Sequence, residues 1–190
     1  DDAANRTPRM RSTFLDFTAA KWAFGRIFRS FWEAGAMAGE AEKTLESLGW
    51  KLPEVGKPLG SYVNSVRAGN LLFLSGKFPK ENGKLKYVGK VGREVTEEQA
   101  QEAARLAALA CLAATKAAIE DLDRVRRVVR MTGYVASAPG FYDSAKVLDG
   151  ASDVLTRVFG ERGKHTRLAV GVSELPLNAC VELEMFLEVE

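Results

Sequence analysis

The sequence predicts a single α+β domain in which two helices pack on one face of a mixed β-sheet. Three observations lead there: the length of the chain, the alternation of β-prone runs with two long helical stripes, and the order hairpin, helix, strand, helix, strand, strand. A chain of 190 residues suits one hydrophobic core. Helices that carry the chain between strands of one sheet act as crossovers and stack on a common face. Hydrophobic residues make up 46% and charged residues 27%, close to ordinary globular usage, which excludes disordered and collagen-like classes.

Residues 1–36 stand apart in composition. They hold seven of the 17 aromatic residues, interleaved with six basic and four acidic side chains. Such a segment is expected to be an extension, either a targeting or membrane-surface peptide or a stretch that adds nothing to the fold. Residues 37–190 are expected to form the domain. From Ala38 to Leu48, Ala41, Leu45 and Leu48 share one helical face, and Gly49 suits the left-handed terminator. Residues 51–60 carry Pro53 and Pro58 and read as an extended lead-in.

Tyr62–Val66 and Leu71–Ser75 flank the turn-rich Arg67-Ala68-Gly69-Asn70 and read as a hairpin. Val91–Val95 is expected to add a strand. Thr96-Glu97-Glu98-Gln99 matches a capping box, which opens a helix running to about Leu122. Its apolar face, Ala103, Leu106, Ala107, Ala110, Ala114 and Ala117, consists mostly of small residues that allow close approach to a sheet. Val125–Ala136 interleaves Val with Arg126, Arg127 and Arg130 and reads as a strand with one wet face. A second stripe, from Val147 to Phe159, is a helix ending at Gly160. Leu168–Val172 and Val181–Val189 complete the sheet. Its second face remains apolar and needs cover, for which an oligomer interface is the simplest solution.

Charge and composition narrow the function. Removing the charges of residues 1–36 from the 27 basic and 25 acidic side chains leaves 21 of each sign. The body therefore lacks the basic excess of a nucleic-acid binder. No apolar run approaches the roughly 20 residues of a membrane-spanning helix, so no membrane span is expected. Cys111 and Cys180 are too few for a disulfide framework or a zinc site, and they suit a reducing compartment. The cytoplasm is the expected location, or an organelle if residues 1–36 are a targeting peptide. The single His165 cannot build a histidine metal site or a two-histidine ribonuclease centre, and no nucleotide-loop or metalloprotease motif occurs. No metal or cofactor is expected.

What remains is a set of polar residues at strand positions: Tyr62, Ser75-Gly76, Arg167 and Glu182. Tyr62 within GSYVNSVRAGNLLFLSGKFP, Arg167 within TRLAVGVSELP and Glu182 within ACVELEMFLEV resemble the RidA (YjgF) family, in a longer branch that accommodates the helix at 38–48. The resemblance covers roughly residues 55–190. It implies a chorismate-mutase-like fold, a homotrimer with sites in clefts between subunits, and cofactor-independent hydrolysis of reactive 2-imino or 2-enamino acids to 2-keto acids and ammonium.

By the same resemblance, Arg167 would grip the substrate carboxylate, for which a planar, permanently charged guanidinium is suited. Glu182 would hold and polarise the attacking water. Tyr62, Ser75 and Gly76 would line the substrate site, with the Gly76 backbone placing the imine. Many members carry Cys two residues after the arginine, where this chain has Ala169. Each residue also has a plainer reading. Arg167 could be a strand-edge salt-bridge partner, and Tyr62 a core-edge aromatic. Glu182 shares its period-2 face with Glu184 and Glu188, so alternation alone makes it equally a solvated, paired residue. His165 reads as a surface or cleft-mouth residue. A non-catalytic metabolite-binding or regulatory trimer and, further behind, an endoribonuclease are the alternative functions.

Overall fold

The computed structural model describes residues 39–190. The extension expected at 1–36, with its targeting alternative, lies outside the described residues. Helix α1 (Glu40–Ser47) ends with Gly49 at φ 68°, the left-handed conformation expected of its terminator. Its N-terminus borrows a cap from elsewhere in the chain: the amides of Glu40 and Ala41 donate to the Asp123 carboxylate at 2.6 and 3.1 Å. Gly39 permits this approach, since a Cβ there would lie 2.3 Å from Asp123 Oδ2.

Strands β1 (Ser65–Ala68) and β2 (Leu71–Lys77) form the expected hairpin. The turn is tighter than the four residues expected. Gly69 takes φ 62°, so Gly69-Asn70 suffices, and Tyr62 falls in the bend before the strand rather than at its start. Two short strands, β3 (Lys80–Glu81) and β4 (Lys84–Leu85), were not expected. Asn82 and Gly83 join them at φ 51° and 77°, the positive values a two-residue hairpin turn requires. Val91–Val95 is not a strand. Gly92, at φ 87°, curls the chain so that its amide returns to the Val95 carbonyl, and Val91 makes only isolated bridges to Val95 and Ser137.

Helix α2 (Glu97–Ile119) opens with the expected capping box. The Gln99 amide donates to Thr96 Oγ1 at 3.2 Å and the Thr96 amide to Gln99 Oε1 at 3.0 Å. The helix stops short of Leu122 because Glu120 turns to φ 69°, and Leu122–Arg124 forms a separate 3₁₀ turn. Its buried stripe is broader than expected and rotated: Ala100, Ala104, Ala108 and Leu112 are buried, whereas Ala117 is exposed. The cause is that α2 packs against both the sheet and α3 (Ser144–Phe159). Gly150 of α3 makes that contact close, since a Cβ there would lie 2.1 Å from the Gln101 carbonyl oxygen.

The main sheet has the order β1-β2-β7-β5-β6, with β5 (Val125–Ala136), β6 (Thr166–Val172) and β7 (Val181–Val189). Only β5 and β6 pair in parallel. α2 and α3 pack on one face, as expected. Strand β7 shows the pattern most plainly, with Val181, Leu183, Met185, Leu187 and Val189 buried beneath the helices and the even-numbered residues facing away. On the opposite face Val66, Phe73 and Leu168 are exposed, and the Phe73 and Phe186 rings lie 5.0 Å apart. Among the described residues no helix is long and apolar enough to cross a membrane.

Candidate functional site

At the end of β2 the pairing with β7 slips: Leu74 faces Met185, yet Lys77 faces Leu183. Ser75 and Gly76 together therefore oppose Glu184, forming a bulge of the kind that re-aims side chains. Gly76 lies directly against Glu182, since a Cβ at position 76 would fall 1.9 Å from Glu182 Oε1. Beside it, Tyr62, Asn64, Gly76, Lys77 and Phe78 line a cleft whose outer wall is the 53–59 segment. That wall is tied down by hydrogen bonds. The Tyr62 hydroxyl accepts from the Leu59 amide at 3.2 Å, and Asn64 Nδ2 donates to the Gly56 carbonyl at 3.0 Å. The Ser75 hydroxyl donates to the Val63 carbonyl at 2.6 Å, so its proton is committed to holding the lead-in segment.

Glu182 differs from its neighbours on the same face. Glu184 takes the Tyr134 hydroxyl at 3.3 Å and Glu188 the Asn70 amide at 3.1 Å. Glu182 is half-buried and has no hydrogen-bond or ion-pair partner among the described residues. Burial pushes its carboxyl above the ordinary value, Glu184 adds to the rise, and Lys77 opposes it. Period-2 alternation makes the three glutamates look alike; only the contacts separate them.

Lys77 was not singled out from sequence. The bulge reverses its expected orientation and turns it toward the helices, where Nζ donates to Asn64 Oδ1 at 2.8 Å. Burial lowers its pKa, against the opposing pull of the buried Cys111 thiol and Glu182, with Lys80 adding to the fall. The signal available in the sequence was Ser75-Gly76, since a glycine inside a strand pattern often marks a bulge. Cys111 itself is fully buried, its thiol pushed up to about 12 by burial, and Cys180 is buried with its thiol at about 11 for the same reason. Neither is poised as a nucleophile.

Arg167 lies elsewhere. It pairs with the buried Met131, so its side chain points toward the helices, whereas Glu182 pairs with Tyr134 and faces the other way. Glu182 is aligned through Tyr134 with Val170. That places Arg167 two strands across and three residues along, about 10 Å in each direction. On its own face Arg167 Nη1 donates to Asp149 Oδ1 at 2.7 Å and to Ser152 Oγ at 3.0 Å. Among the described residues nothing takes Nε or Nη2. His165 sits beside this group, with Nε2 3.2 Å from Ser152 Oγ. Asp149 and Ser152 were missed from sequence because they fall outside the apolar stripe of their helix. One chain thus sets Tyr62 and Gly76 on one cleft, with Ser75 beside Gly76 in the bulge and Glu182 against Gly76, and holds Arg167 apart from them.

Residues 42–189 match the family described as "YjgF/chorismate mutase-like, putative endoribonuclease". Protein TCP17 of Trypanosoma cruzi is 40% identical over 152 residues, which is 80% of this chain and 95% of that protein. A crystal structure of an Agrobacterium tumefaciens protein of unknown function is 44% identical. It matches 79% of this chain and 92% of its own, at a TM-score of 0.75. A Shewanella oneidensis protein, labelled a putative endoribonuclease, is 36% identical and matches 80% of this chain and 100% of its own at a TM-score of 0.78. The RidA of an Antarctic Psychrobacter species shares the fold at 23% identity and a TM-score of 0.51, covering 72% of this chain and 94% of its own.

Proposed function

The chain belongs to the YjgF/chorismate mutase-like family, and on that footing we propose that it hydrolyses reactive 2-imino and 2-enamino acids to 2-keto acids and ammonium. The observation that carries this reading is Glu182: a half-buried carboxylate with a raised pKa and no partner among the described residues, seated against a glycine that lines a cleft. Such a group can hydrogen-bond a water and take its proton. Water adds to the C=N carbon, the nitrogen gains a proton, and the resulting carbinolamine expels ammonia as the carbonyl forms. An enamine enters the same route after tautomerising to the imine. This reaction proceeds unaided in water, so positioning and one proton-handling carboxylate suffice.

Arg167 is assigned the substrate carboxylate. Since it and Glu182 lie on opposite faces of one sheet, a substrate small enough to be an imino acid meets both only if they come from different chains. The apolar face carrying Val66, Phe73 and Leu168 supplies the surface for such an assembly, a homotrimer on the family pattern. A metabolite-binding trimer would use the same cleft without turnover. An endoribonuclease of the two-histidine kind has no counterpart here, because the chain contains one histidine.

The test is the decay of freshly generated 2-iminopropanoate. The wild-type protein is expected to accelerate it, and Arg167→Lys to lower kcat/KM roughly 10- to 100-fold, the equivalent of one lost charge-assisted hydrogen bond of about 1.5–3 kcal/mol. Absence of acceleration by the wild-type protein would favour the binding trimer, and unchanged kinetics in Arg167→Lys would remove Arg167 from the site.

A further inference from the structure

Arg167 is one end of a continuous hydrogen-bonded chain. Its Nη1 meets Asp149 and Ser152, Ser152 Oγ lies 3.2 Å from His165 Nε2, and His165 Nδ1 lies 2.7 Å from the Gly163 carbonyl oxygen. Chemistry orders the protons along it. A carbonyl can only accept, so His165 Nδ1 carries a proton. In the neutral ring Nε2 is then an acceptor and takes the Ser152 proton. That leaves the lone pairs of Ser152 for Arg167.

The supports of this chain are rigid. Asp149 and Ser152 are three residues apart on α3 and so lie on one side of the helix. Gly163 is seated against the same helix, since a Cβ there would lie 2.0 Å from the Leu155 carbonyl oxygen. The carbonyl that fixes His165 therefore belongs to a backbone segment with no room to move toward α3. Asp149 also offsets part of the guanidinium charge.

We propose that Ser152 and His165 are positioning residues for Arg167: with Asp149 they immobilise Nη1 and leave Nε and Nη2, which face the same side of the guanidinium, as the paired donors for a planar carboxylate. Two aligned donors select a carboxylate by geometry, where a freely moving cation would accept any anion. This inference rests on the assignment of the substrate carboxylate to Arg167. Neither residue touches substrate. Freeing the guanidinium should cost what it takes to order one long side chain, a weakening of about three- to tenfold.

The experiment measures imine hydrolysis and, in parallel, binding of pyruvate, a stable 2-keto acid with the same carboxylate. Ser152→Ala and His165→Asn should each raise KM for 2-iminopropanoate and Kd for pyruvate about three- to tenfold while kcat stays within about twofold. Ser152→Thr, which keeps the hydroxyl, should restore both constants. The double variant Ser152→Ala/His165→Asn should be no worse than either single one, because both break the same chain. Wild-type KM and Kd in both single variants, or additive effects in the double variant, would overturn the proposal while leaving the deaminase reading intact. Pyruvate binding is read whether or not turnover occurs, so a protein that binds without hydrolysing still decides the question. If Arg167→Lys binds pyruvate as tightly as wild type, the proposal and the carboxylate assignment both fall.

Discussion

At the residue scale the site depends on Gly76 having no side chain. A Cβ there would collide with the end of the Glu182 side chain and with no backbone atom, so the fold can accommodate it by moving the carboxylate. Gly76→Ala is therefore expected to change stability by less than about 1 kcal/mol, yet to lower kcat at least tenfold as Glu182 leaves its seat. Melting curves and steady-state kinetics on the same preparation separate the two effects. The Glu182 carboxyl itself makes a second, thermodynamic prediction. Its folded pKa is raised, so its contribution to stability is complete below its ordinary value of 4.5 and is lost as pH rises through the folded value. At neutral pH the native chain holds this charge at a cost. Glu182→Gln should thus melt higher than the parent at pH 7, with the gap closing below pH 4.5. A Glu182→Gln protein that melts lower at pH 7 would mean the carboxylate makes a stabilising contact. Sequence alternation could nominate Glu182 but could not distinguish it from Glu184 and Glu188, because the difference lies in Tyr134 and Asn70, residues distant in the chain.

The elements legible in the sequence were those defined by local chemistry. The Thr96 capping box and the stripe of α3 depend on residues a few positions apart and form as read; the β5 run of valines forms its strand but not the single wet face expected, since Met131, Thr132 and Gly133 are all buried. Elements governed by backbone sign or by distant partners were not legible. Val91–Val95 has strand-prone residues, but Gly92 bends it away; the Asn82-Gly83 turn creates two strands too short to show a period. The α1 cap is invisible from its own neighbourhood because Asp123 supplies it. Gly150 is the clearest case. In isolation it weakens α3 by about 1 kcal/mol relative to alanine, whereas in the fold it admits the Gln101 backbone. Gly150→Ala should therefore destabilise the protein, by about 1–3 kcal/mol as overpacking usually does, despite its better helix propensity. Chemical denaturation checks the sign: a more stable variant would show that α2 and α3 can separate without loss.

At the scale of the whole molecule, the fold class was written in the order of elements, and the family match and structural neighbours agree with it. The arrangement of the site was not. Arg167 and Glu182 are 15 residues apart in sequence, and the two motifs that carry them give no hint that a sheet separates them. Which face each side chain takes depends on strand register, which is set by the pairing of β5 with both β6 and β7. The central claim, imine hydrolysis at a site shared between chains, is tested most directly by mixing two inactive variants. Arg167→Ala and Glu182→Gln are unfolded together in equal amounts, refolded and assayed against 2-iminopropanoate. Random reassembly places an intact Arg167 beside an intact Glu182 at about a quarter of the interfaces of a cyclic trimer, so the mixture should recover about a quarter of wild-type turnover while each variant refolded alone stays inactive. A mixture no more active than its components would contradict the claim.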